Sequence, residues 1–176
     1  MIHKFTSDLL SIYKEYGNDD YIGEPISQQS HMLQAAYFAQ QAGADDELIL
    51  AAFFHDIGHL CAPFDAEEMD GLGIVDHEQI GAQYLSTKGC SARLCQLVAS
   101  HVQAKRYLCW KNPAYFAKLS QASTGTLAFQ GGPMSTEEAL SFEASPMHKD
   151  ILRLRVWDEQ AKIPQGPELD WELLTN

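Results

Sequence analysis

Cysteine is scarce, acidic residues outnumber basic ones two to one, and no apolar run is long enough to cross a bilayer. The four cysteines, Cys61, Cys90, Cys95 and Cys109, have neither the two-residue spacing of a zinc knuckle nor the density of a disulfide scaffold, and they read as buried free thiols. Twelve Lys and Arg against 24 Asp and Glu leave a formal net charge of −12, and the longest basic run is the pair Lys105-Arg106. Such a chain repels a polyanionic backbone, so nucleic acid is not an expected partner. A membrane-spanning helix needs roughly 20 apolar residues in a row, and Met1 to Ser11 lacks the basic start and apolar centre of a signal peptide. No membrane partner is expected, and the cytoplasm is the expected location.

Several chemical signatures are missing too. There is no glycine-rich phosphate loop, no Gly-x-Ser-x-Gly elbow and no His-Glu-x-x-His pair. No Val, Ile or Thr alternation marks a strand, and no internal repeat appears. With 176 residues of 45% hydrophobic composition, the chain suits one domain, 1–176, with a full core.

Helical spacing fills most of that length. Met32, Leu33, Ala36, Phe38 and Ala39 predict a helix between Ser27 and Gly43 that carries His31. Asp45 caps a second helix through Leu48 to Phe54, ending near Gly58 and carrying His55, Asp56 and His59. Cys61 to Asp76 reads as a loop, and helical patterning resumes from His77 to Leu85. Ser91 caps a helix past His101 to about Leu108, and Pro113 starts another with Tyr115 to Leu119 beyond it. After the breaker Gly131-Gly132-Pro133, Ser135 and Glu138 form a capping-box pattern before Ala139 to Phe142, and a last helix, Met147 to Gln160, carries Asp158. The expected fold is all-α, a single helical bundle.

Polar residues inside these apolar runs need an explanation. His31, His55, Asp56, His77, His101 and Asp158 are the cases in point. A buried polar side chain costs several kcal/mol unless it is paired, so one isolated histidine reads equally well as a hydrogen-bonded core residue. The adjacent pair His55-Asp56 favours a metal, because imidazole and carboxylate suit first-row ions and a carboxylate can bridge two of them. His59 lies four residues after His55, and Lys105 four after His101, so each ligand candidate gains a hydrogen-bonding or cationic group one turn along. That arrangement suits a metal-bound phosphate or phosphonate. Arg155, three residues before Asp158, reads as a charge partner for its carboxylate. The doublet alone leaves hydrolase and oxygenase equally open.

The positions His31, His55-Asp56 and Asp158 resemble the HD-domain superfamily. His77, His101, Asp-Tyr-Ile-Gly-Glu at 20–24, His-Val-Gln-Ala-Lys-Arg-Tyr-Leu at 101–108 and Gln-Gly-Gly-Pro-Met at 130–134 resemble a narrower group within it. These are the mixed-valence diiron oxygenases of 1-hydroxyphosphonates. The resemblance runs from about Tyr21 through Trp157. It implies an HD-domain bundle holding two iron ions, Fe2+ and Fe3+, with dioxygen as cosubstrate. His31, His55, Asp56 and Asp158 would be the HD ligands, Asp56 bridging, with His77 and His101 completing the second iron. His59, Lys105 and Ser123 would hold the phosphonate oxygens, and Tyr21 and Glu24 would belong to a mobile segment near the open iron position and the substrate amine. The implied substrate is a small 1-hydroxyphosphonate with a 2-amino or 2-trimethylammonio group, and the products are phosphate and glycine or glycine betaine.

Residues 110–112, 124–126 and the tail after Gln160 do not match the family pattern, which leaves the pocket around the substrate nitrogen open, and the oligomeric state is not given. The runner-up reading is an HD phosphohydrolase acting on a small phosphate ester with the same metals. A metal-stabilised helical module without catalysis is the non-enzymatic reading.

Overall fold

The computed structural model describes residues 2–21 and 23–174; Ile22 of the 20–24 motif, and Met1, Thr175 and Asn176 at the ends of the expected 1–176 domain, lie outside the described residues. The described residues form the helices α1 Ile2–Tyr16, α2 Gln28–Gln41, α3 Asp46–Phe54, α4 Gly58–Cys61, α5 His77–Thr87, α6 Ala92–Lys111, α7 Pro113–Phe116, α8 Gln121–Phe129, α9 Thr136–Ala144 and α10 His148–Gln160, then a 3-10 turn, Trp171–Leu174. No strand occurs among them; Asp20 with Ser27 and Glu68 with Ile74 form isolated bridges. The fold is an all-α helical bundle, as the periodicity predicts.

Local chemistry sets the helix starts. Ser27, Asp45 and Ser91 each accept from the backbone N–H three residues on, at 3.2, 3.0 and 3.1 Å, which satisfies a donor that the first turn leaves free. Ser135 and Glu138 complete both halves of the capping box. α6 forms the spine of the bundle, packing against α3, α5 and α10, while α2 packs on α3 and α10. Leu48, Phe53, Ile57, Leu85, Leu97 and Leu154 fill one contiguous core between them. Each such side chain stabilises the fold by about 1.5–3 kcal/mol.

Four expectations need correction. The helix after Asp45 stops at Phe54, not near Gly58, so His59 sits on the separate turn α4 and does not share a helical face with His55. The cause is the crossing with α5: a Cβ at position 58 would lie 1.8 Å from the His77 carbonyl oxygen. The chain therefore tightens there, with Ile57 N donating to Phe54 O and His59 N to Asp56 O, both at 3.0 Å. The helix begun by Pro113 ends at Phe116 rather than reaching Leu119, because Ser120 must be extended to cap α8 through Ser123 N. α6 continues to Lys111, past Leu108. Finally, α1 and α8 were not anticipated. α1 buries Leu9, Leu10 and Tyr13, the last with its ring 4.7 Å from that of Phe53.

Candidate metal centre

The six ligand candidates converge from five places in the bundle. His31 comes from the first turn of α2, His55 and Asp56 from the tight turn after α3, His77 from the start of α5, His101 from the middle of α6 and Asp158 from the end of α10. All six are buried, His31 and His55 completely. The Gly58 crossing brings the 55–56 turn against His77.

The histidines form two facing pairs. His31 Nε2 and His55 Nε2 are 3.1 Å apart, as are His77 Nε2 and His101 Nε2. Each ring's Nδ1 faces a backbone carbonyl: Ala161 O, Ala52 O and Val98 O at 2.8 Å, and Ile74 O at 3.3 Å for His77. A carbonyl only accepts, so Nδ1 carries a hydrogen on each ring and Nε2 is left for a metal or a proton; burial opposes charge on His55, yet the Asp56 carboxylate raises its pKa to about 9. Two lone pairs pointed at each other repel; a cation between them removes that repulsion.

Asp56 joins the pairs. Its Oδ2 lies 3.3 Å from His55 Nε2 and 3.6 Å from His31 Nε2, while its Oδ1 lies 3.3 Å from both His77 Nε2 and His101 Nε2. Asp158 Oδ1 faces the first pair at 3.5 and 3.8 Å, and Arg155 holds Oδ2 of the same carboxylate at 2.5 Å. Two donor groups thus share one carboxylate: His31, His55 and Asp56, and Asp56, His77 and His101. The first gains a further oxygen from Asp158; the second has three donors and room for exogenous ligands. Burial opposes charge on both aspartates, yet His55 and the other imidazoles hold Asp56, and Arg155 holds Asp158, well below the usual carboxylate range. Donor type, anionic charge and spacings near the roughly 3 Å between neighbouring ligands of an ion at about 2.1 Å all fit two first-row metal ions.

Beside this centre is a cavity lined by Tyr21, Glu24, His59, Lys105, Ser123, Arg155 and Lys162, with Asp56, His77, His101 and Asp158 at its base. Lys105 lies one turn beyond His101 and donates to Thr126 Oγ1 at 2.8 Å. Burial, and then the charge of Arg155, push its pKa down to about 7. His59 Nδ1 accepts from Ile74 N at 3.2 Å, so its Nε2 is the donor. Its ring stacks on His77 at 4.1 Å, and burial and the neighbouring His77 push its pKa down to about 3. Gly73, at φ +104°, makes room for that ring: a Cβ there would lie 2.6 Å from His59 Cε1. Lys105 and His59 therefore offer an anion one titratable cation and one neutral donor.

Tyr21 stacks on His31, with ring centres 3.9 Å apart, and donates to Asp56 Oδ2 at 3.0 Å, on the four-donor side. Glu24 is not free, because Lys162 Nζ binds its Oε1 at 2.8 Å. Arg155 also reaches Tyr115 and Glu159, a supporting network around Asp158. Sequence reasoning missed Gln28, Thr126 and Lys162 and gave no site role to Gln130, the first residue of the 130–134 motif, although all four line the cavity. Buried Oε1 atoms of Gln28 and Gln130 have no partner among the described residues. Spacing could have flagged some of them: Gln28 lies three residues before His31, Thr126 three after Ser123, and Lys162 four after Asp158.

A helical bundle that gathers histidine pairs around the aspartate of a His-Asp doublet defines a class, and the chain belongs to it: the HD domain family model matches residues 29–144. Within that family its relatives include phosphonate dioxygenases. It is 42% identical over 151 residues, 86% of this chain and 76% of the relative, to the glycine-betaine-forming 1-hydroxy-2-(trimethylamino)ethylphosphonate dioxygenase of Leisingera caerulea. It is 38% identical over 158 residues, 89% and 78% of the two chains, to the hydroxymethylphosphonate dioxygenase of Gimesia maris. An uncharacterized protein of Acanthamoeba polyphaga mimivirus is 43% identical over 156 residues, 88% and 71% of the two chains.

Proposed function

We propose that this chain is an HD-domain phosphonate oxygenase that uses dioxygen and two iron ions to cleave the C–P bond of a small 1-hydroxyphosphonate. The observation that carries this reading is the shared Asp56 carboxylate, with one oxygen toward each histidine pair, beside a cavity that presents Lys105 and His59 to an anion. The dioxygenase relatives support the redox assignment over hydrolysis.

His31, His55, Asp56 and Asp158 would hold one iron and Asp56, His77 and His101 the other. The ions, as a ferrous–ferric pair, would activate dioxygen, with the four electrons that reduce it coming from C1 of the substrate. The chain's own part is to bind and orient: the Lys105 ammonium, His59 Nε2–H and Ser123 at the cavity wall hold phosphonate oxygens so that C1 and its hydroxyl face the centre. Arg155 fixes the direction of Asp158. Carbon is a poor leaving group, so oxidation of C1 precedes phosphate release. One dioxygen is consumed per phosphonate, and phosphate, a carboxylate and a proton are formed. With a 2-amino or 2-trimethylammonio substituent the acid is glycine or glycine betaine, and Glu24 supplies the opposing charge.

The test is aerobic and anaerobic incubation of the iron-loaded chain with a panel of 1-hydroxyphosphonates, following dioxygen uptake and phosphate release. Equal uptake and release are expected, with none when dioxygen is withheld. Phosphate release that consumes no dioxygen contradicts the oxygenase reading and favours the HD phosphohydrolase.

A further inference from the structure

Among the described residues three carboxylates line the cavity, and Glu24 is the one that is not a metal-ligand candidate. Asp56 spans the histidine pairs and Asp158 is held by Arg155, which leaves Glu24 as the group able to neutralise a cationic substituent on a bound phosphonate. Tyr21 is the one Phe, Tyr or Trp among the described lining residues and offers the ring face best suited to a cation. Both positions are already served by the protein. Lys162 Nζ lies 2.8 Å from Glu24 Oε1 and 5.9 Å from the Tyr21 ring centre, within reach of cation–π attraction. The ion pair is largely sheltered, its side chains 16% and 13% exposed, so competition for Glu24 is felt more strongly than on an open surface.

Lys162 also has somewhere to go. It follows the C-terminus of α10 and lines a second, adjoining cavity with Tyr115, Lys118, Ser120 and Glu159. Lys162 therefore borders both spaces.

We propose that Lys162 determines the substituent specificity of this site. Its ammonium takes the place that a substrate ammonium would take at Glu24 and Tyr21, and so penalises 1-hydroxyphosphonates with a cationic 2-substituent relative to those with none. This rests on the phosphonate reading of the cavity. A cationic substrate has to displace Lys162 toward the adjoining cavity, whereas hydroxymethylphosphonate leaves the Glu24–Lys162 pair closed. Breaking the pair from either side then shifts preference in opposite directions, which general damage to the fold does not do.

The experiment measures binding by anaerobic calorimetry and, separately, aerobic kcat/KM for hydroxymethylphosphonate and 2-amino-1-hydroxyethylphosphonate. The proteins are the metal-loaded wild type, Lys162→Met, Lys162→Arg and Glu24→Gln. Lys162→Met is expected to raise the affinity ratio of the amino compound over the hydroxymethyl compound at least tenfold, Glu24→Gln to lower it, and Lys162→Arg to keep the wild-type ratio. A ratio unchanged or lower in Lys162→Met overturns the proposal. A shifted binding ratio without turnover of either compound upholds it and removes the oxygenase reading instead; no binding of either compound to any of the four proteins overturns both.

Discussion

Arg155 Nη1 grips Oδ2 of Asp158 at 2.5 Å and leaves Oδ1 as the oxygen turned to His31 and His55. The guanidinium is buried and also meets Tyr115 and Glu159, so its removal acts on both stability and the metal site. Arg155→Met should cost roughly 3–5 kcal/mol, because Asp158 is left as an uncompensated buried charge. It should also weaken metal binding roughly 10–100-fold, the usual effect of losing a group that orients a ligand. Denaturant melts and chelator competition on the same preparation check the two effects, and a variant with unchanged metal affinity excludes the orienting role.

The two donor groups make a counting prediction. His101→Gln should leave one metal ion per chain at the four-donor position, His55→Gln should spare the His77 and His101 pair, and Asp56→Asn should impair both, since each group includes Asp56. Metal analysis of the purified variants reads this directly.

Lys105 should make anion binding fall as pH rises. Burial lowers its folded pKa to about 7, below the roughly 10.4 of an exposed lysine, so the ammonium needed for an anion is lost as pH climbs through that value. The same shift means that the unfolded chain binds the extra proton between these two pKa values, so Lys105 makes stability rise with pH across that window. Calorimetric titration with a phosphonate at pH 6 and 8, the ligand's own ionisation being common to both proteins, should show a steeper loss for the wild type than for Lys105→Arg, whose charge persists. Parallel pH profiles contradict a role for the Lys105 charge.

Gly58→Ala should be among the most damaging single changes. A Cβ 1.8 Å from the His77 carbonyl oxygen must push α5 and the 55–56 turn apart, at a cost of roughly 3 kcal/mol or more. A thermal melt within two degrees of the wild type rules out the close crossing.

Much of this site was legible from residue type and spacing. Capping residues Asp45, Ser91 and Ser135 located helices because capping is a local interaction, decided within one turn. The six ligand candidates stood out because polar residues in apolar runs require a partner, and the bundle does bring them together. What stayed hidden depends on contacts between distant segments. The break after Phe54 is forced by α5 crossing at Gly58, which no nearby residue announces. α8 has weak amphipathic spacing and matters because Thr126 meets Lys105, 21 residues away, and Ser123 lines the same cavity. The Glu24–Lys162 pair joins residues 138 apart, so sequence could name Glu24 and not its partner.

The central claim is two coupled irons sharing Asp56, and electron paramagnetic resonance of the iron-loaded chain tests it most directly when paired with iron analysis. Two irons per chain and a signal from a coupled ferrous–ferric pair, both lost in Asp56→Asn, are the predicted result. One iron per chain in active enzyme, or two ions that give no coupled signal in any oxidation state, contradicts it.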